Sequence, residues 1–292
     1  MTLGTAKTAQ NAPDTAARKV QVGLIGRGIM LSRTPGMHVA EGHAHGLEYT
    51  YDFIDPETMS GDPALADLLD EAEASGFAGL NVTFPYKREV IELLDGLSDA
   101  AGKVGAVNTV VFREGKRFGH NTDFWGFAES LRQGLPTVAR EAVLLLGAGG
   151  AGGAVGHALR ETAVKTIFVY DQNAGAAEAL AKDIGGRATT DLATAAAEAD
   201  GIVNATPMGM AKLPGMAIPA DLIEARHWVA DIVYFPRETQ LLATARAKGC
   251  EVLDGSGMAV FQAVRAFKLF TGLDPDPARM RATFEAFQDP KN

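Results

Sequence analysis

Cysteine is nearly absent: Cys250 stands alone among 292 residues. A single thiol excludes an internal disulfide and points to a reducing compartment, so a cytoplasmic location is expected. No apolar run approaches the roughly 18 residues that a membrane-spanning helix needs. Positive charge is in deficit. Lys and Arg number 27 against 36 Asp and Glu, a net charge of −9, which argues against nucleic acid or an anionic membrane as the main partner. Small anionic ligands remain admissible, because helix dipoles and single cations hold them. No His, Cys, Asp and Glu residues stand at metal-ligand spacing, so no metal is expected. Residues 1–19 lack the apolar centre of a secretory signal and read as a disordered tail.

What is present is a globular composition, 47% hydrophobic and 22% charged. From Val20 onward, short apolar runs alternate with helical patterns, the signature of βαβ units and an α/β fold. Strands are predicted over 20–25, 49–53 and 78–84, helices over 35–46, 63–75 and 87–94, and a hairpin over 107–119 that turns at Glu114-Gly115. A helix over 123–133 leads through Gly134-Leu135-Pro136 into a cleaner alternation. It places strands at 142–146, 166–170, 201–204, 228–232 and 251–253, with helices at 150–161 and 175–184. The Ala-rich stretch 193–199 is helix-forming. Helices at 258–270 and 277–287 close the chain, and the pattern alone leaves open which half they join.

The apolar strand at 142–146 runs straight into Gly147-Ala148-Gly149-Gly150-Ala151-Gly152 and then a helix. In that context a glycine-rich string reads as a dinucleotide loop. Gly147 makes the tight turn, Gly149 admits a diphosphate close to the backbone, and Gly152 lets helix and strand pack closely. The helix N-terminus then offers N–H groups to the phosphates. The bland alternative is a glycine-rich turn without a ligand. Asp171 closes the next strand nineteen positions after Gly152. A carboxylate there accepts bonds from the adenosine ribose and repels a 2′-phosphate. Gln172-Asn173-Ala174 supply no compensating cation, so NAD is favoured over NADP. Asp171 as a helix N-cap is an alternative, and the two roles are compatible.

Polar strings cluster in the first half: Ser32-Arg33-Thr34-Pro35, Asn81-Val82-Thr83-Phe84-Pro85-Tyr86-Lys87, Gly105-Ala106-Val107-Asn108-Thr109 and Gly119-His120-Asn121-Thr122-Asp123. Taken singly, each has an ordinary reading as a cap, a turn or a solvated lysine. Together, and with Asn204-Ala205-Thr206-Pro207-Met208-Gly209, Asp231-Ile232-Val233-Tyr234 and Gly257 through Gln262-Ala263, they resemble the shikimate dehydrogenase family in order from about 20 to 287.

That resemblance implies two α/β domains with the active site in the cleft between them. Residues 20–122, completed by 257–289, would form the substrate-binding and catalytic domain, and 123–256 the Rossmann domain. It implies reversible hydride transfer between a ring hydroxyl of shikimate and a nicotinamide, with Lys87 and Asp123 as the catalytic pair. Oxidising an alcohol needs a base for its proton, and reduction needs an acid to return it. A lysine serves both when a water-poor cleft weakens its hold on the proton; Asp123 would orient Lys87 and bond a ring hydroxyl. Ser32 and Thr34, with Tyr234, would hold the substrate carboxylate, while Thr83, Asn108, Asp123 and Gln262 would bind the ring hydroxyls. Thr206, Met208, Ile232 and Gly255 would line the nicotinamide side, although core packing also accounts for Met208 and Ile232.

The chain departs from the usual family pattern at several positions. Thr34 stands where a second serine is common, and Asp171-Gln172-Asn173 stand where Asn-Arg-Thr is common. Both changes resemble the NAD-using quinate/shikimate branch, so quinate is a candidate second substrate. Gly26-Arg27-Gly28 and Leu31 also differ from the usual Gly-x-Pro and His. Rival readings are an NADP-preferring or aminoshikimate-type paralogue and a non-catalytic dinucleotide sensor; the presence of both Lys87 and Asp123 argues against the sensor. His120 reads as packed or solvated, Cys250 as a buried apolar residue, and the protein as a monomer or homodimer.

Overall fold

The computed structural model describes residues 17–287, which build two six-stranded sheets. The first contains β1 (Lys19–Ile25), β2 (Glu48–Ile54), β3 (Gly79–Val82), β4 (Gly96–Leu97), β5 (Thr109–Arg113) and β6 (Lys116–His120) in the order β2-β1-β3-β5-β6-β4. β1 runs parallel to β2 and β3, and β5 antiparallel to β3 and β6. The reversal has a local cause. Glu114 and Gly115 both have positive φ, 55° and 69°, the backbone of a two-residue turn that joins only antiparallel strands. β1 begins at Lys19, the last residue of the stretch read as a tail; residues 1–16 of that stretch lie outside the described residues. Residues 288 and 289, expected to complete the substrate domain, also lie outside them.

The helices of this half are α1 (Thr34–Ala44), α2 (Leu65–Ala74) and α3 (Asp99–Val104), followed by α4 (Thr122–Gly134) leading out of β6. Two differences from the sequence pattern stand out. The helix expected over 87–94 is a 3-10 turn at Glu89–Leu93, because the Lys87 carbonyl accepts from the Val107 N–H at 2.7 Å and is lost to a helical bond. α3 is an addition, capped by Ser98 and closed by Gly105 at φ 63°.

The second sheet holds β7 (Ala142–Leu146), β8 (Thr166–Tyr170), β9 (Arg187–Ala188), β10 (Gly201–Asn204), β11 (Trp228–Asp231) and β12 (Glu251–Leu253). Its order is β12-β11-β10-β7-β8-β9, with every pair parallel. Helices α5 (Gly150–Glu161), α6 (Ala174–Asp183), α7 (Leu192–Glu198) and α8 (Gln240–Ala247) connect the strands. Val143, Leu145 and Val203 pack into one core, and Leu144, Leu146, Ile202 and Val229 into another. Burial on both faces is why these strands are continuously apolar. The strand order reverses between β7 and β10, which opens a crevice at their C-terminal ends.

α9 (Ser256–Thr271) and α10 (Pro277–Ala286) end the described chain. Val260, Ala263 and Phe267 of α9 pack with Val20, Val22 and Tyr49 beneath the first sheet, whereas Met258 joins the second core. The fully buried Glu41 carboxylate of α1 accepts from Arg279 Nε at 2.7 Å and from the Asp276 N–H at 2.8 Å. Burial raises the affinity of Glu41 for a proton, but those donors win and hold it below its ordinary range. The start of α10 is thereby fixed to the helix that follows Ser32. Among the described residues no helix is long and apolar enough to cross a membrane.

Candidate active site

The glycine loop leaves β7 with Gly147 at φ 101°, its N–H bonded to the Tyr170 carbonyl at 2.8 Å. A Cβ on Gly152 would run into the Gly147 carbonyl oxygen, so close packing requires that glycine. Gly149 and Gly150 are different: a Cβ on either meets nothing within 4 Å, and no protein neighbour explains their bareness. The first turn of α5, which includes Ala151, presents N–H groups without intrahelical acceptors beside this open space. A diphosphate fits that donor set and that cradle. Asp171 accepts from the Ala148 N–H at 2.7 Å and the Asn173 N–H at 2.8 Å. The cap of α6 is Asn173, which accepts from Ala176 at 3.2 Å. Asp171 therefore braces the loop and is not the helix cap. The Ala148 N–H, expected to face cofactor, is already committed to that carboxylate. A cavity of about 590 Å³ borders Gly149, Gly150 and Asp171.

Across the crevice, the ends of β10 and β11 are tied by a network that the sequence strings contained without an assigned role. The buried Asp231 carboxylate accepts from Asn204 Nδ2 at 2.9 Å, the Val233 N–H at 3.0 Å and Thr239 Oγ1 at 2.7 Å. Asn204 in turn accepts the Thr206 hydroxyl at 2.6 Å and donates to the Met208 carbonyl at 3.0 Å. Burial raises the proton affinity of Asp231 while its three donors oppose it. The signal was legible: Asn and Asp each close an apolar strand. Thr206 and Met208 are thus held at the crevice rim. Ile232 is half-buried against the second core, and Gly255 lets the start of α9 approach the Ile232 carbonyl.

On the other side, Lys87 Nζ stands 2.6 Å from Asp123 Oδ2, both mostly sheltered. Asn121 caps α4 by accepting from the Phe124 N–H at 3.0 Å and donates to the Ala106 carbonyl at 3.0 Å. The cap is worth about 1 kcal/mol and leaves Asp123, two residues on, free to meet Lys87. A carboxylate in the first turn is also favoured by the helix dipole. Asn108 is buried, with Oδ1 accepting the Thr122 N–H at 2.7 Å and Nδ2 donating to Thr122 Oγ1 at 2.9 Å. Much of its bonding capacity is spent locally. Thr83 follows β3 half-buried.

Thr34 Oγ1 accepts from Gln262 Nε2 at 3.5 Å, joining residues 228 positions apart. Ser32 Oγ accepts weakly from the Thr34 N–H at 3.4 Å. Tyr234 lies edge-on to Phe284, its ring 6.0 Å away. Desolvation raises its hydroxyl above the ordinary value, Arg33 and Lys87 pull it back, and Asp123 pushes it up. Arg33, which carried no role in the sequence, is buried with its guanidinium 5.0 Å over the Phe284 ring. His120 is driven toward its neutral form by burial and by the nearby Arg265 and Arg113.

The substrate binding domain of shikimate dehydrogenase matches residues 24–110, and the shikimate 5′-dehydrogenase C-terminal domain matches 255–283. A shikimate dehydrogenase (NADP(+)) of Pseudarthrobacter chlorophenolicus is 49% identical over 274 residues, 90% of this chain and 93% of that one. The chain belongs to the shikimate dehydrogenase family. A quinate/shikimate dehydrogenase (NAD(+)) of Corynebacterium efficiens is also 49% identical, over 91% of this chain and 97% of its own. Among solved structures, the quinate dehydrogenase from Corynebacterium glutamicum in complex with NAD superimposes with a TM-score of 0.89 at 47% identity, covering 92% of this chain and 100% of that one. Both the two-domain α/β fold and the parallel Rossmann-type second sheet are those of the shikimate dehydrogenase family.

Proposed function

We propose that the protein is an NAD-preferring dehydrogenase that reversibly oxidises shikimate to 3-dehydroshikimate and also accepts quinate, giving 3-dehydroquinate. The observation that carries this reading is the Lys87–Asp123 pair at 2.6 Å, sheltered from solvent. The glycine loop and Asp171 would hold the dinucleotide, with Thr206, Met208, Ile232 and Gly255 lining its nicotinamide, which would supply the hydride acceptor in oxidation and the donor in reduction. Lys87, as the free amine, takes the hydroxyl proton while the C–H bond breaks, and as the ammonium gives it back to the forming alkoxide. Asp123 orients the amine and bonds a ring hydroxyl. Ser32, Thr34 and Tyr234 hold the carboxylate, and Thr83, Asn108 and Gln262 read the remaining hydroxyls. An analogue lacking one hydroxyl leaves a sheltered partner unpaired, which is how such a site selects.

Relatives named for NAD and for NADP are equally identical to this chain at 49%, so overall similarity does not choose the cofactor. Asp171 does. Its carboxylate suits a ribose diol and opposes a 2′-phosphate. The substrate domain is assigned to 20–122 with 257–289 and the cofactor domain to 123–256, so that closure of the cleft excludes water from the reacting atoms. Initial rates with shikimate and quinate, each against NAD and NADP, test the reading. Higher kcat/KM with NAD and measurable quinate oxidation are expected. Strong NADP preference contradicts the Asp171 argument, and no turnover of either acid contradicts the substrate assignment.

A further inference from the structure

A single cation stands on the wall of the dinucleotide cavity. Arg88 follows Lys87 in the chain and lines the same cavity as Gly149, Gly150, Asp171, Leu180 and Asp183 of the second unit. Among the described residues it is the one Lys or Arg on that wall. The residue is exposed, and its guanidinium makes no hydrogen bond or ion pair among the described residues. It precedes the 3-10 turn at Glu89–Leu93 without a side-chain bond to it.

The charges around it ask for a ligand. Each Asp171 oxygen accepts one N–H, from Ala148 and from Asn173, and Asp183 is bonded to His157 Nε2 at 2.8 Å. Neither carboxylate pairs with Arg88. A diphosphate entering beside two carboxylates meets like charge, which the partial charge of the α5 N-terminus offsets only in part. A guanidinium on the facing unit supplies the missing positive charge and a bidentate donor geometry suited to phosphate oxygens.

We propose that Arg88 binds the bridging diphosphate of the dinucleotide from the side opposite the glycine loop, an inference that rests on the dinucleotide reading above. Because Arg88 adjoins Lys87, the same contact draws the catalytic segment toward the cofactor domain when the dinucleotide binds. Calorimetric titration of NAD, NADP, ADP and adenosine into the full chain, without acid substrate, tests it on wild type, Arg88→Gln and Arg88→Lys. One lost charge-assisted bond should weaken NAD and ADP about tenfold in Arg88→Gln. Arg88→Lys should recover most of that loss, and adenosine should bind unchanged. Wild-type NAD affinity should also fall more steeply with salt than that of Arg88→Gln, with equal Tm for both proteins. Equal NAD and ADP affinities in wild type and Arg88→Gln overturn the proposal. So does a loss confined to NADP, which would make Arg88 a partner of the 2′-phosphate instead. If wild type binds no NAD at all, the dinucleotide reading itself fails.

Discussion

The two halves of the site are built in opposite ways. The dinucleotide-loop half is local: β7, the glycine loop, α5 and Asp171 lie within 30 consecutive residues, 142–171. The proposed substrate half draws on Ser32 and Thr34, Thr83 and Lys87, Asn108, Asp123, Tyr234 and Gln262, with the Thr34–Gln262 contact spanning 228 positions. A local site is held by backbone geometry, which glycine encodes. A gathered site is held by side-chain bonds between elements, such as Glu41 with Arg279 and Lys87 with Asp123. Substitutions in the two halves should therefore fail differently.

The largest effect is expected in the gathered half. Asp123→Ala should lower kcat about a hundredfold, the lower range for a group assisting proton transfer, while NAD affinity measured by calorimetry stays within twofold. In the local half, Gly152→Ala forces a methyl group against the Gly147 carbonyl and should cost about 1–3 kcal/mol in urea unfolding. Gly149→Ala sharpens the contrast: it meets no protein atom within 4 Å, so stability should hold while NAD binding weakens. If both alanines destabilise equally, the open space at Gly149 is not a ligand's. Asp171→Asn removes the charge that opposes a 2′-phosphate and should shift the NAD to NADP ratio of kcat/KM about tenfold toward NADP, a change near 1.4 kcal/mol.

The smallest effect concerns stability alone. His38 is buried, bonded through Nδ1 to the Tyr49 hydroxyl at 3.0 Å, and desolvation lowers its pKa from 6.5 to about 3. Between those values the unfolded chain binds the extra proton, so this group makes stability fall as pH drops below 6.5, by up to about 1.4 kcal/mol per pH unit. Urea unfolding of wild type and His38→Leu at pH 7.5 and 5 checks this: the variant should show the shallower loss.

Legibility followed the same division. The all-parallel second sheet, with apolar strands buried on both faces, was readable from periodicity, and so was the turn at Glu114-Gly115. The 3-10 turn after Lys87 was not, because it depends on a bond to Val107 that no local pattern announces. α8 had a visible cap in Thr239 and escaped notice behind an irregular loop. In the site, Lys87 and Asp123 were named only through family resemblance, since their strings are 36 positions apart and nothing in either predicts the other. Asn204 and Asp231 visibly close apolar strands, but that they bond each other depends on the pairing of β10 with β11, which neither string shows.

The most direct test is Lys87→Ala, assayed for shikimate oxidation with NAD and, separately, for NAD binding. The account predicts a fall in kcat of a hundredfold or more with NAD affinity within twofold of wild type. Retention of more than about a tenth of wild-type kcat would exclude Lys87 as the group that handles the proton, and an equal collapse of NAD binding would make it a structural residue of the cofactor half.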